Sequence, residues 1–250
     1  MSSTASLDLT GLEAITTYDV YVQAVWSANS SSMFSDAVSF TTETLPVIPE
    51  LRPTLSEINL FIGDLSDLNI TPRAFQYELN TTLFTDYSHK QRIIALPENT
   101  SMTYDDDGLP IFPDNTVIAK TFFYNTDERD LTLGRTIIET RLLIKEGEQW
   151  TTGDYVWNEA QTEATLDLNG STLPISWIDA DGETNDINYE IPSNNDCFTC
   201  HASFNENKPI GPKLRSMNFD INGINQLEQF ISNGALTAIT VGSSIIVLPN

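Results

Sequence analysis

Period-two alternation constrains this chain more than any other feature. In Gly134-Arg-Thr-Ile-Ile-Glu-Thr-Arg-Leu-Leu-Ile-Lys145, Ile138, Leu142 and Ile144 fall on one face. Arg135, Glu139, Arg141 and Lys145 take the other. A helix, with 3.6 residues per turn, would mix these two sets, so the run predicts a strand. Similar runs at 90–96, 116–124 and 154–160 are separated by Gly, Pro, Asn and Asp clusters that favour turns. The expected fold over 55–191 is therefore mainly β, an antiparallel sandwich or barrel.

The flanks differ in texture. Upstream, Tyr18, Val20, Val22, Ala24 and Trp26 recur at period two, and a polar turn over 29–32 leads to a second strand through Val38 and Phe40. Residues 1–44 resemble the last strands of a fibronectin type III module, with Tyr18 at the tyrosine-corner position. The earlier strands of such a module are absent, so the expectation is a partial module with more chain upstream. Three prolines between Leu45 and Pro53 predict a linker over 45–54. Thr54-Leu-Ser-Glu57 has capping-box spacing and predicts a short helix near 55–61. After Pro192 the chain should turn helical. Asp196 is placed to cap a helix holding both cysteines, and Ile224, Leu227 and Ile231 recur at helical spacing between Asn222 and Gly234. That gives a small α-helical segment over 192–240 and a tail over 241–250.

Charge narrows the function classes. Twelve Lys and Arg stand against 35 Asp and Glu, a net charge of −23. Such a surface repels phosphate backbones and anionic headgroups, which argues against nucleic-acid binding and membrane-surface binding. Basic protein partners, divalent cations or a salty habitat fit better. No run of eighteen apolar residues exists, so no membrane span is expected.

The chemistry concentrates in Cys197-Phe-Thr-Cys200-His201, which contains both cysteines of the chain and one of its two histidines. Cysteines three apart on a helix present their sulfurs to one side, and the next residue can turn an imidazole toward a metal held there. Two thioethers and one axial nitrogen are what covalent c-type haem attachment requires. A zinc site needs four ligands, and only His89 is left as a further Cys or His. A redox-active disulfide would normally follow the first strand of a thioredoxin-like fold, not the end of a β domain. Downstream, Ile210-Gly-Pro-Lys-Leu214 resembles the Gly-Pro-x-Leu segment of class I cytochromes c. That resemblance implies that the Pro212 carbonyl orients His201. For the distal iron ligand, Met217 and His89 are the candidates, against an open sixth position. Asp179, Asp181 and Asp186 surround Gly182 in a loop that could wrap calcium, or that simply turns a hairpin.

From about Leu55 to Ile239 the chain resembles a family of bacterial secreted dihaem c-type cytochromes. The matching segments are Leu83–Tyr87, Lys90–Pro97, Lys120–Phe122, Glu139–Leu143, Tyr155–Asn158, Cys197–His201 and Asn225–Leu227. The resemblance implies a β-rich domain ending in a first haem motif, followed by a second cytochrome-like region. No second motif occurs before Asn250.

The expected function is that of an extracytoplasmic c-type cytochrome with one haem c. It would transfer electrons to a redox partner protein that is basic where it docks, and its signal peptide would lie in upstream chain. Cys197, Cys200, His201 and Pro212 are the expected haem-binding residues. The reading is of a carrier more than of a catalyst. Two alternatives stand beside it. One is a haem-dependent redox enzyme, peroxidase-like or dehydrogenase-linked. The other is a non-redox cell-surface adhesion or carbohydrate-binding protein.

Overall fold

The computed structural model describes residues 9–28, 30–106, 108–196, 202–203, 206–237, 245–246 and 248. The chain divides into two compact units, Met1–Pro46 and Val47–Asn250.

In the first unit, β1 (Thr17–Val20) pairs antiparallel with β4 (Val38–Thr41), placing Tyr18 opposite Phe40 with ring centroids 6.0 Å apart. A small hairpin joins β2 (Val25–Ser27) to β3 (Ser30–Ser31). The long strand expected through Trp26 is broken at residues 21–24. There the backbone instead engages serines, with the Val22 amide donating to Ser35 Oγ and the Ala24 amide to Ser32 Oγ, both at 3.0 Å. Val22 and Trp26 are exposed, so no packed face holds them in a continuous strand.

The second unit is mainly β. Its strands are β5 (Ala74–Gln76), β6 (His89–Ala95), β7 (Met102–Thr103), β8 (Val117–Asn125), β9 (Arg135–Glu146), β10 (Gln149–Trp157), β11 (Ala164–Asp167), β12 (Ser171–Ile178) and β13 (Thr184–Ile191). Short pairs follow: β14 (Ala202–Ser203) with β15 (Glu206–Asn207), and β16 (Asp220–Ile221) with β17 (Ile224–Asn225). Finally β18 (Leu236–Thr237) lies parallel to β7.

One antiparallel sheet of order β11-β10-β9-β8-β6-β5 organises the unit. It has two edges, so it does not close as a barrel. Thr54 bridges β11 at one edge, which protects otherwise open backbone groups there. Gly147, at φ +58°, supplies the left-handed turn that a two-residue link between β9 and β10 demands.

The alternation in β9 holds from Glu139 to Lys145 and then breaks. Phe122 pairs with Glu139 and Phe123 with Ile137, leaving Ile138 as the extra residue of a bulge. Ile138 therefore joins the face that carries Glu139, while Ile137 packs with Leu142 and Ile144.

Three apolar clusters clothe the sheet. On one face Leu55, Ile58, Leu60 and Leu68 cover Ile93, Val117, Leu142, Ile144, Tyr155 and Trp157. Each such side chain, fully buried, contributes about 1.5–3 kcal/mol. The proline-rich stretch belongs to this layer from Val47 onward. Val47 and Leu51 pack on it, and the Arg52 backbone exchanges hydrogen bonds with Tyr155 Oη at 3.0 and 2.8 Å. The Glu57 carboxylate accepts from the Thr54 amide at 3.0 Å, one arm of a capping box, but the helix is a single 3₁₀ turn, Ser56–Ile58. Asn59 ends it in the left-handed conformation, at φ 60°.

The opposite face is covered at its two ends. At one, Ile94, Ile118 and Trp150 meet Met102, Leu214, Met217, Leu227 and Phe230. The described residues from Leu214 to Leu236, within the segment expected to be helical, thus pack on the sheet itself. At the other end, the hairpin β12–β13 brings Ile175, Trp177, Tyr189 and Ile191 onto Tyr124 and Ile138.

Among the described residues, α-helix in the second unit is short: residues 194–196, Leu214–Met217 and Gln226–Ser232. The run expected to be helical from Asn222 begins instead as a hairpin. Asn222 and Gly223 have φ of 54° and 83°, the conformation that Asn-Gly favours in a tight turn, and this places Ile224 in β17. Asn225 is the cap, its Oδ1 accepting from the Leu227 and Glu228 amides at 3.0 and 3.3 Å.

Candidate functional site

Cys197, Cys200 and His201 lie outside the described residues. Their approaches are described. Residues 194–196 are helical, one turn earlier than the expected Asp196 cap would start them. Ser193 caps the turn, and the Asp196 carboxylate reaches back to the Ser193 amide at 3.0 Å and hydroxyl at 2.7 Å. These hydrogen bonds hold the Asp196 carboxyl below its ordinary pKa.

Asn194 ties the approach to the sheet. Its amide donates to Leu168 O at 3.0 Å, and its Oδ1 accepts from the Thr152 hydroxyl on β10. Gly170, at φ +79°, lies against this chain. A Cβ there would stand 2.7 Å from Ser193 N and 2.8 Å from Ile191 O, and backbone cannot yield. Gly170→Ala should lower stability by about 1–3 kcal/mol, read as an earlier denaturant midpoint. On the far side of the motif, β15 returns to lie alongside β10. The described chain before the motif, at Asn194, and the described chain after it, at β15, thus both lie beside β10.

Downstream, Pro212 is buried. Gly211 sits where a Cβ would touch Leu79 Cδ1 at 3.3 Å. Met217 is 0% exposed within the apolar cluster that holds Leu214, Leu227 and Phe230. Gln226, unremarked in the sequence, staples this region. Its Nε2 donates to Met217 O and Glu78 O, each at 3.0 Å, while its Oε1 accepts from the Glu78 amide at 2.7 Å.

His89 lies on the other side of the sheet from Thr152. It stacks on Phe123, with centroids 5.4 Å apart, and its Nε2 is 2.7 Å from Glu128 Oε1 and 3.2 Å from Asn125 Nδ2. The fold thus does not bring His89 to the face where the Asn194 anchor engages β10.

The acidic loop is a hairpin turn. Asp179 Oδ1 accepts from the Asp181 and Glu183 amides at 3.0 Å, and Oδ2 accepts from Asn185 Nδ2 at 2.8 Å. The Asn185 hydrogen bond, with those amides, lowers the Asp179 pKa. Asp186 lies further along β13, opposite Ser176, and Asp181 is exposed. A Cβ on Gly182 would meet the Arg129 guanidinium, so a cation already stands over the turn. Among the described residues no three His, Cys, Asp or Glu side chains gather as a metal-ligand group. Of the two readings of Asp179, Asp181 and Asp186, the hydrogen bonds describe the hairpin turn, with Asp179 as its organising acceptor. Asp179→Ala should loosen the turn, read as a lower midpoint in a thermal melt.

The most unusual polar arrangement lies on the face between the two end clusters. Across the sheet, Arg92, Lys120, Arg141 and Asp154 pair in one row, and Lys90, Phe122 and Glu139 in the next. Four of the chain's twelve Lys and Arg thus occupy one patch. Phe122 is fully buried beneath three of them, with Arg141 Cζ 4.5 Å, Lys120 Nζ 4.8 Å and Lys90 Nζ 5.8 Å from its ring centroid.

Carboxylates answer some of this charge. Glu139, 0% exposed, accepts from Arg141 Nε at 2.8 Å, from Arg141 Nη2 at 2.5 Å and from Tyr189 Oη at 2.6 Å. Asp154 Oδ2 stands 3.9 Å from Arg141 Nε, and Glu78 pairs with Arg92 at 2.8 Å. Burial pulls the Arg141 pKa down, but its hydrogen bonds to Glu139 outweigh that and leave it raised. Burial and the Glu139 charge raise Tyr189, keeping it a donor. Lys120 differs. No described carboxylate comes within ion-pair distance, and burial, then Arg141, Arg92 and Lys90, lower its pKa to about 7. Lys90 is lowered by burial and by the same neighbouring guanidiniums.

Known proteins give no precedent. No protein-family model, curated protein or solved structure matches this chain. The site must be read from its own residues.

That reading has two parts. Two thiols and an imidazole in the spacing Cys-x-x-Cys-His are a donor set that fits haem c, and the chain just before them is tied to β10 through Asn194. Beside β10 lies the cationic patch, which the sequence did not single out. Its signal was present as Lys90, Arg92, Lys120 and Arg141 at alternate positions in three expected strands. The register that unites them was not.

Proposed function

We propose that this chain is an extracytoplasmic c-type cytochrome, carrying one haem c and exchanging electrons with a partner protein. The single observation that carries the reading is the pentapeptide Cys197-Phe-Thr-Cys-His201, which contains both cysteines of the chain. When bound, the haem supplies a reversible one-electron change at its iron. The chain's residues do the rest. Cys197 and Cys200 hold the group by thioethers, and His201 offers an imidazole to the metal. Pro212, buried downstream, is the residue whose carbonyl would fix that ring. The Ser193 cap and the Asn194 anchor support the reading by fixing where the segment starts. A net charge of −23 favours a basic docking surface on the partner and association that slows with added salt.

Residues 1–44 are read as part of a fibronectin type III module. Support comes from Tyr18, whose hydroxyl accepts from the Glu13 amide, five residues upstream, at 2.9 Å.

The test is expression with a cytochrome c maturation system, followed by a pyridine haemochrome spectrum and an intact mass. The expected result is one haem per chain, retained on denaturation. Changing both Cys197 and Cys200 to Ala should abolish it. A matured chain with the mass of the bare polypeptide sinks the proposal. A high-spin ferric spectrum that shifts with cyanide would turn the reading from carrier to enzyme.

A further inference from the structure

We infer that Lys90, Lys120 and Arg141, gathered round the Phe122 ring, form a binding site for a carboxylate. Three observations carry it. Register in the sheet, not flexible loops, puts the cations side by side, so the site is preorganised. Arg141 is locked by Glu139, which is itself held by Tyr189, so its charge cannot swing away to solvent. Lys120 rests on an aromatic face with no described carboxylate in ion-pair range, leaving its ammonium donors for a ligand.

Charge selects the ligand class. Arg92, Lys120, Arg141 and Lys90 face Glu78, Glu139 and Asp154, a surplus of one positive charge in the half-buried patch. Asp86, exposed at the rim near Lys90, is screened by solvent. A monoanion restores neutrality there. A phosphate dianion would leave a net negative charge in a region of low dielectric. The lowered pKa of Lys120 agrees with a cation waiting for a counter-ion.

Two sources can supply the carboxylate. One is a free organic acid. The other is a propionate of the haem, and this second source rests on the function proposed above. It is favoured by geometry, because Asn194, three residues before Cys197, is hydrogen-bonded to Thr152 on β10, the neighbour of the strand bearing Arg141.

The experiment uses the full chain, labelled with ¹³Cε-lysine, in its haem-free and its matured forms, with acetate as the probe. In the haem-free chain, the resonance that Lys120→Met removes should titrate well below an ordinary lysine. Acetate should raise that pKa saturably, and Lys120→Met should weaken acetate binding by about tenfold or more, as loss of a charged hydrogen bond does. Lys90→Met, on the rim, should weaken it less, and it preserves the test if Lys120→Met misfolds. In the matured chain, a Lys120 pKa already raised without acetate, together with a lower haem midpoint potential in Lys120→Met, identifies the propionate. Unchanged acetate binding in the matured chain identifies a free acid. An ordinary lysine pKa in the anion-free chain, or no saturable acetate effect, overturns the site. Failure to take up haem would sink the function proposal alone, because the haem-free titration still decides this one.

Discussion

Replacing Glu139 by Gln should lower the unfolding free energy of the Val47–Asn250 unit by about 3–5 kcal/mol, the usual penalty for removing one partner of a buried ion pair. The carboxylate is fully buried and accepts three hydrogen bonds, two from Arg141 and one from Tyr189. An amide keeps the shape but removes the negative charge and turns one oxygen into a donor; the Arg141 guanidinium facing it can only donate, whereas Tyr189 Oη can turn to accept. Arg141 would keep its charge beside Lys120 and Arg92 with only Asp154, at 3.9 Å, to answer it. Tyr189→Phe should cost less, about 1–2 kcal/mol, because it removes one donor and leaves the ion pair intact. The double change Glu139→Gln with Arg141→Met should recover much of the loss, since the stranded charge leaves with its partner. Urea titrations of the four proteins check this. A Glu139→Gln variant within 1 kcal/mol of the parent would mean that water reaches the pair and screens it.

How this cluster forms also explains which parts of the molecule the sequence revealed. Strands were legible by alternation in β9 from Glu139 to Lys145, and as short apolar, β-branched or aromatic runs bounded by turn residues in β6, β8 and β10, which are buried on both faces. Glu139 and Arg141 were legible as the polar side of β9, but not as buried. Their cover is the β12–β13 hairpin, fifty residues on, and only tertiary packing joins Tyr189 to Glu139. The bulge at Ile138 was equally hidden. Periodicity counts residues along one strand, and a bulge is a mismatch between two. Local chemistry misled twice. Asn222 has the residue type of a helix cap, but the following Gly223 makes a tight turn easier and passes the capping role to Asn225. Prolines between Leu45 and Pro53 suggested a linker, although Val47 and Leu51 are apolar enough to be drawn onto the sheet. The Cys-x-x-Cys-His motif needed no fold at all to be seen, because its chemistry is local. The cationic patch is the reverse case, invisible until strand register sets Lys90, Lys120 and Arg141 around one ring.

That patch should also be visible in the pH dependence of stability. Lys120 has a folded pKa of about 7, pushed down first by burial and then by Arg141, Arg92 and Lys90, against an unfolded value near 10.4. Between these values the unfolded chain binds more protons than the folded one, so stability rises with pH across the window. Below about pH 7 both states are protonated, and the full penalty of a charged Lys120 is present. Lys90, shifted in the same direction, adds to the slope. Lys120→Met should therefore stabilise the haem-free chain by about 2–4 kcal/mol at pH 6 and have little effect near pH 10, with the parent's rise between the two largely abolished. Saturating acetate should do to the parent what the substitution does, flattening the slope by neutralising the ammonium in place. Arg129 and Asp127, a mutually hydrogen-bonded pair that holds the Asp127 carboxyl down to about 2, have no titration in this range to imitate it. Denaturant midpoints measured from pH 6 to pH 10 would separate the cases. A parent curve that is flat across this range, or a methionine variant that is less stable at pH 6, would show that Lys120 already has a counter-charge within the fold.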